Sequence, residues 1–191
     1  LGQQIAATTV GTCLTPVYAF LSISEVSEYM STSEDLSRQL IAEQQLDPNS
    51  PEFAQSMASV EKRMAAYAEA RVHPQLPKDL PIICFYPMSK ARGETRNWYS
   101  LPFEDRKQLM GGHGATGRTF AGRVLQLVTG STGLDDFEWG VTLFGVHPDD
   151  LKACVYAMRY DEASAHYAEF GPFVTGVVGD LGEVLAAVGG H

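Results

Sequence analysis

At 191 residues the chain has room for one generous domain or two small ones, and a hydrophobic content of 45% is enough for a sizeable core. Lys and Arg total 14 against 23 Asp and Glu, a net charge of -9 that excludes the basic footprint of non-specific nucleic-acid binding. Cys13, Cys84 and Cys154 lack CxxC spacing, which excludes a disulfide framework or a zinc cluster and fits a reducing cytoplasm; no apolar run is long enough to span a membrane.

Residues 1–30 read as the remnant of an N-terminal half, with strand-like character from Leu14 to Val26. There is no basic segment ahead of the first apolar stretch, so no signal peptide is expected, and Leu1 in place of Met implies natural residues upstream. Residues 31–80 form a polar helical connection in which Phe53, Met57, Val60, Met64 and Tyr67 recur at helical spacing. Ser50 and Pro51 suit its N-cap and first turn. Three prolines between Val72 and Pro81 end that helix and mark the entrance to a domain over 81–191.

Within that domain Ile82, Cys84, Tyr86 and Met88 alternate with Ile83 and Phe85 as a strand. A helix follows over about Pro102 to Thr119, then strands over Arg123 to Thr129 and from Phe137 through Leu143. Pro148 opens a second helix, Gly171 to Val178 reads as a fourth strand, and a short Ala/Val-rich helix ends the chain. The order β-α-β-β-α-β predicts an α+β, ferredoxin-like fold: an antiparallel sheet with helices on one face, the other face needing a partner.

GHGATG (residues 112–117) matches G-x-G-x-x-G, but a helix precedes it where a dinucleotide site requires a strand. His113 is more informative. It projects from the apolar stripe of Leu109 and Met110, flanked by Gly111, Gly112, Gly114 and Gly117, each unfavourable in a helix unless something bulky approaches the backbone. Axial ligation of a flat macrocycle accounts for both features; so does a satisfied core histidine at a glycine-rich helix end. Tyr86 reads either as a core aromatic or as an acid, ligand or one-electron relay. Gln126 interrupts an apolar face, as a structural hydrogen bond or a ligand contact. Arg71, Lys90 and Arg159 sit near element ends, either as solvated cations or gathered for an anionic ligand. Trp98 and Trp139 read as packing residues, and Cys84 and Cys154 as small buried hydrophobes.

Taken in order, ICFYPMSK, NWYSLPFEDRKQLMGGHGATGRTFAGRVLQLVTGSTGLDDFEWGVTLF and VYAMRYDEASAHYAEFGPF closely resemble the coproheme decarboxylases of the chlorite dismutase-like superfamily. The resemblance runs through most of residues 81–178 and more loosely back to Leu1. It implies a peroxide-dependent enzyme of haem biosynthesis. The substrate is Fe-coproporphyrin III, which doubles as redox cofactor. Two of its propionates become vinyl groups, haem b is the product, and no separate metal is needed.

The resemblance also assigns roles. His113 is the proximal iron ligand, within HG…GR…AG. Tyr86 is the catalytic tyrosine drawing hydrogen from a propionate, and Lys90 lies beside the reacting propionate. Arg71 and Ser164 bind propionates, the Tyr86-Pro87-Met88-Ser89-Lys90 loop lines the substrate, and Tyr29 and Arg159 match further pocket positions. Gln126 stands where true chlorite dismutases carry a distal arginine, which disfavours chlorite breakdown.

Coproheme and hydrogen peroxide are thus the implied partners, with a homopentamer as the assembly and coproporphyrin ferrochelatase upstream. The family's chains begin with a further ferredoxin-like half before the point matched by Leu1. The alternatives are a chlorite dismutase or haem peroxidase, and, from another class, a haem-binding or delivery protein without turnover. The central expectation is that the imidazole and the phenol flank one porphyrin slot.

Overall fold

The computed structural model describes Thr15, residues 18–180 and Gly182. The first strand, β1, is only Ile23–Ser24; Leu14, Pro16 and Val17 of the expected N-terminal strand, and the expected terminal helix, lie outside the described residues.

The connection carries two helices rather than one. Helix α1 spans Ser33–Gln44 and starts with a capping box: Thr32 accepts from the Asp35 N–H, and Asp35 accepts from the Thr32 N–H. Its polar composition hides it from a periodicity search, because only Leu36 and Leu40 are buried. Helix α2 spans Pro51–Val72 with Ser50 as N-cap and Pro51 in the first turn, as the sequence predicts. Phe53, Met57, Val60 and Met64 are half-buried, but Tyr67 is exposed.

Strand β2 (Ile82–Lys90) leads through a single 3-10 turn, Trp98–Ser100, into α3 (Phe103–Arg118). Strands β3 (Val124–Gly130) and β4 (Trp139–Gly145) form a hairpin ahead of α4 (Pro148–Met158) and the short α5 (Glu162–Tyr167). The fourth strand expected over Gly171 to Val178 is shortened to β6 (Val174–Val177), and a strand the sequence did not predict, β5 (Ala168–Phe170), precedes it. Pro172 has no N–H to give to a ladder. Gly171 comes so close to β2 that a Cβ there would lie 2.7 Å from both Pro87 Cγ and Phe137 Cζ.

Among the described residues the named strands all pair antiparallel, in the order β1-β3-β4-β2-β5, with β6 flanking the other half of β2. This is the predicted ferredoxin-like α+β arrangement. On one face Cys84, Tyr86, Val141 and Leu143 pack with Leu151 of α4 as the core. On the other, Tyr18 and Phe20 lean on Phe85, with ring centroids at 6.3 and 5.3 Å. Among the described residues no helix is long and apolar enough to cross a membrane.

Candidate functional site

Strand alternation decides which predicted residues can meet. Residues 86–90 are not a loop: they belong to β2 and are paired without a bulge to β4 and β5. Tyr86, Met88 and Lys90 therefore project toward the helices. Pro87 and Ser89 project to the opposite face, so their side chains cannot line the same pocket and only their main chain runs along it. Val124, Gln126 and Val128 of β3 share the helix side, opposite Gly145, Leu143 and Val141.

His113 lies on α3, and its Nδ1 is 3.0 Å from Asp161 Oδ2 and 3.3 Å from Ser164 Oγ. Asp161 caps α5 by accepting from the Ser164 N–H at 3.0 Å, so one carboxylate fixes both the short helix and the imidazole. Burial pushes the imidazole below its usual value, the nearby Asp161 pushing the other way, so His113 is neutral at pH 7. A neutral ring donating from Nδ1 presents the Nε2 lone pair, the form that ligates a metal.

Lys90 reaches the same place from the end of β2. Its Nζ donates to Ala163 O at 3.3 Å and lies 4.4 Å from the centre of the Trp98 ring. Its backbone N–H donates to the buried Glu138 carboxylate at 2.8 Å. Burial lowers the ammonium to about 8, against the pull of Asp161 and Glu138. Among the described residues no carboxylate lies within ion-pair distance of Nζ. Lys90, His113 and Ser164 thus meet around α5, as neighbours of one another.

Tyr86 sits further back along β2, about 13 Å from Lys90 at the usual strand rise. Its ring stacks on Phe173 at 4.4 Å and lies 5.8 Å from Phe170. Burial raises the phenol well above its usual value, the Arg159 charge only partly opposing this, so Tyr86 keeps its proton at neutral pH. Arg159, at the C-terminus of α4, stacks over Phe170 at 4.6 Å. A cavity of about 350 Å³ adjoins this group, walled by Cys84, Leu151, Val155, Arg159, Phe173 and Thr175 among others, with His113 not among its walls.

Gln126 is half-buried, its Oε1 within 4.0 Å of the position a Cβ on Gly117 would take, next to Met158. Gly111 and Gly112, by contrast, are exposed with nothing within 4 Å of a built Cβ, so the protein itself does not crowd them. Helix α3 buries none of its residues completely and packs chiefly on α5 and α4, while Gln126 and Val128 below it are only half covered. That leaves a partly open layer between α3 and β3.

Among the described residues the flanks carry donors without acceptors. Arg71 donates from Nη2 to Val128 O at 3.2 Å, while its Nε is buried without a partner. Tyr29, stacked on Phe103 at 5.7 Å, has a buried hydroxyl without a partner, and its pKa is pushed up to about 12 mainly by burial. Arg106 Nε is likewise unpartnered. Unmet buried donors are costly unless an acceptor arrives, and an anionic, carboxylate-rich group is the acceptor they fit.

Sequence reasoning missed Asp161 and Glu138. Asp161 is 48 residues from His113, beyond any local spacing rule. The one local signal was its place as an N-cap before a short helix.

The sequence profile of the family described as Chlorite dismutase matches residues 1–179. Coproheme decarboxylases of Staphylococcus carnosus and Staphylococcus saprophyticus are each 42% identical over 166 residues, covering 86% and 85% of this chain but 56% and 55% of their own. The chain therefore spans about half the length of these relatives. Among solved structures, a heme-binding protein from Thermus thermophilus superposes with a TM-score of 0.61 at 44% identity, over 75% of this chain and 52% of that one. A chlorite dismutase variant from Candidatus Nitrospira defluvii gives 0.53 at 26% identity, over 64% and 50%.

Proposed function

The chain belongs to the chlorite dismutase family, and from that premise we propose that it is the haem-binding part of a peroxide-dependent coproheme decarboxylase. The observation that carries this reading is the His113–Asp161 pair, which leaves a neutral Nε2 free on a helix lying over a half-covered sheet face. An iron porphyrin ligated there supplies the oxidising power of peroxide.

In this reading the chain's own residues orient and protect. Asp161 and Ser164 hold His113 in one tautomer. Arg71, Arg159, Lys90, Ser164 and Tyr29 supply donors for the four carboxylates, gathering cations that the net charge of -9 withholds elsewhere. Main chain at Pro87 and Ser89, with the Met88 side chain, forms the rim between Tyr86 and Lys90. Gln126 leaves the far side of the slot uncharged. Tyr86, protonated and shielded from water, gives up a hydrogen atom and regains one from the propionate side chain. Each propionate then consumes one peroxide and one proton and yields a vinyl group, carbon dioxide and two waters. A homopentamer in the cytoplasm, supplied by a ferrochelatase, is part of the same reading.

The test is to load the whole protein with iron coproporphyrin III, titrate peroxide and follow the porphyrin by mass spectrometry. Stepwise loss of two carboxyl groups is expected. Oxygen release from chlorite without decarboxylation would replace this reading with a chlorite dismutase. An unchanged porphyrin would replace it with a haem-binding or delivery role; haem binding is what is named for the Thermus thermophilus structure.

A further inference from the structure

Trp98 is 3% exposed and is the hub of an aromatic cluster. Its ring meets Tyr167 edge-on at 5.3 Å and Tyr29 at 6.5 Å, and Tyr29 in turn stacks on Phe103 at 5.7 Å. Tyr99, the next residue along, is 45% exposed. Such a chain of indole and phenol rings is an easy route for an electron to leave the surface and fill a vacancy inside. It also begins close to the candidate iron site: Trp98 meets α5 directly through Tyr167, and Lys90 touches both the indole and Ala163 of α5, beside the Asp161 and Ser164 that hold His113.

One feature of the contact opposes that route. The Lys90 ammonium faces the indole at 4.4 Å, is itself 6% exposed, and has no carboxylate within ion-pair distance among the described residues. Glu138, the nearest buried acid along the chain, is engaged instead by the Lys90 backbone N–H, at 2.8 Å. A desolvated cation against a π-face stabilises the neutral ring and disfavours its positively charged, one-electron-oxidised form. We propose that Lys90 is a redox insulator, its ammonium holding Trp98 reduced so that oxidising equivalents are spent at Tyr86 and not drained through Trp98 to Tyr167, Tyr29 and the surface.

The step suppressed is explicit. Trp98 would lose one electron to the oxidised centre and then its indole proton. It would recover both from Tyr167 or Tyr29, leaving a phenoxyl radical on a ring other than Tyr86. The inference rests on the peroxide chemistry proposed above for its biological meaning, but the effect of Lys90 on Trp98 can be measured without any porphyrin.

The experiment has two arms. In the first, a ruthenium(III) tris-bipyridine oxidant is generated by flash-quench in a solution of the porphyrin-free protein, and the rate of indolyl radical formation is followed by absorbance. The Trp98→Phe protein subtracts the contribution of Trp139. Lys90→Met is expected to speed Trp98 oxidation several-fold and Lys90→Arg to restore the original rate. Equal rates in the Lys90→Met and parent proteins overturn the inference. So does an equal acceleration in Lys90→Met and Lys90→Arg, which would mean altered packing and not charge.

In the second arm the protein carrying iron coproporphyrin III is treated with peroxide and its peptides are mapped by mass spectrometry. Oxygen added at Trp98 is expected to increase in Lys90→Met, and unchanged labelling overturns the protective role. If the first arm behaves as expected while the parent protein never decarboxylates its porphyrin, the functional reading fails and the insulation remains.

Discussion

Asp161 Oδ2 lies 3.0 Å from His113 Nδ1, and the other oxygen of the same carboxylate caps α5. The imidazole is thus oriented by a group that is itself immobilised. Replacing Asp161 with Asn keeps the cap but weakens the acceptor for Nδ1–H. Loss of such an outer partner costs roughly 10–100-fold in metal-site affinity. Titration of Asp161→Asn with iron coproporphyrin III should show a drop of that order and a displaced Soret band. Parental affinity with a parental spectrum would remove Asp161 from the site.

Lys90 offers a pH signature. Its pKa falls from 10.5 in a solvated chain to about 8 when folded. Below about pH 8 both states are protonated, and the folded one bears the buried charge at full cost. Between about 8 and 10.5 the unfolded chain binds the extra proton, so stability should rise with pH across that window. At about 1.4 kcal/mol per pK unit, the gain is on the order of 3 kcal/mol. Urea unfolding of the parent and of Lys90→Met at both ends of the window measures it as a difference. Lys90→Met should be the more stable protein at pH 7, with a flatter profile; parallel profiles would contradict a lowered pKa.

The fold was readable because period-two alternation in Ile82 to Met88 and the signals at Ser50, Pro51 and Pro148 are local and agree with the tertiary structure. Helix α1 was not readable as an element, since its burial rests on Leu36 and Leu40 alone. His113, Tyr86 and Lys90 stood out through residue type and order, and the resemblance gave them roles. Asp161 and Glu138 did not: ordinary acids in polar runs become special only when folding brings them to His113 and to the Lys90 backbone. The loop at residues 86–90 came with the resemblance, whereas alternation had already carried the strand through Met88; Pro87 and Ser89 both fit where β2 pairs with β4 and β5.

Gly171 should prove indispensable for packing. A methyl group there would meet Pro87 Cγ and Phe137 Cζ at 2.7 Å, and neither a proline ring paired into β2 nor a half-buried phenyl ring swings aside without cost. Overpacking of this kind costs roughly 1–3 kcal/mol. Gly171→Ala should lower the denaturation midpoint accordingly, whereas Gly111→Ala, with nothing within 4 Å, should leave it unchanged or raise it. A silent Gly171→Ala would mean that the break between β5 and β6 can open at little cost.

Tyr86 separates binding from chemistry. Its ring is held between Phe173 and the core residues Cys84 and Val141, and phenylalanine fills the same space. Tyr86→Phe should therefore change stability by less than about 1.5 kcal/mol, the usual bound for near-isosteric core replacements. Iron coproporphyrin III should still bind, because the donors at His113, Arg71 and Ser164 are untouched. What is lost is the only O–H bond that this ring contributes, and with it the hydrogen atom passed to and from the propionate. Porphyrin mass after peroxide addition should consequently stay at that of the tetracarboxylate in Tyr86→Phe while the parent reaches the dicarboxylate. A variant that completes both decarboxylations at the parental rate would show that the phenol is a packing residue and that hydrogen leaves the substrate by another route.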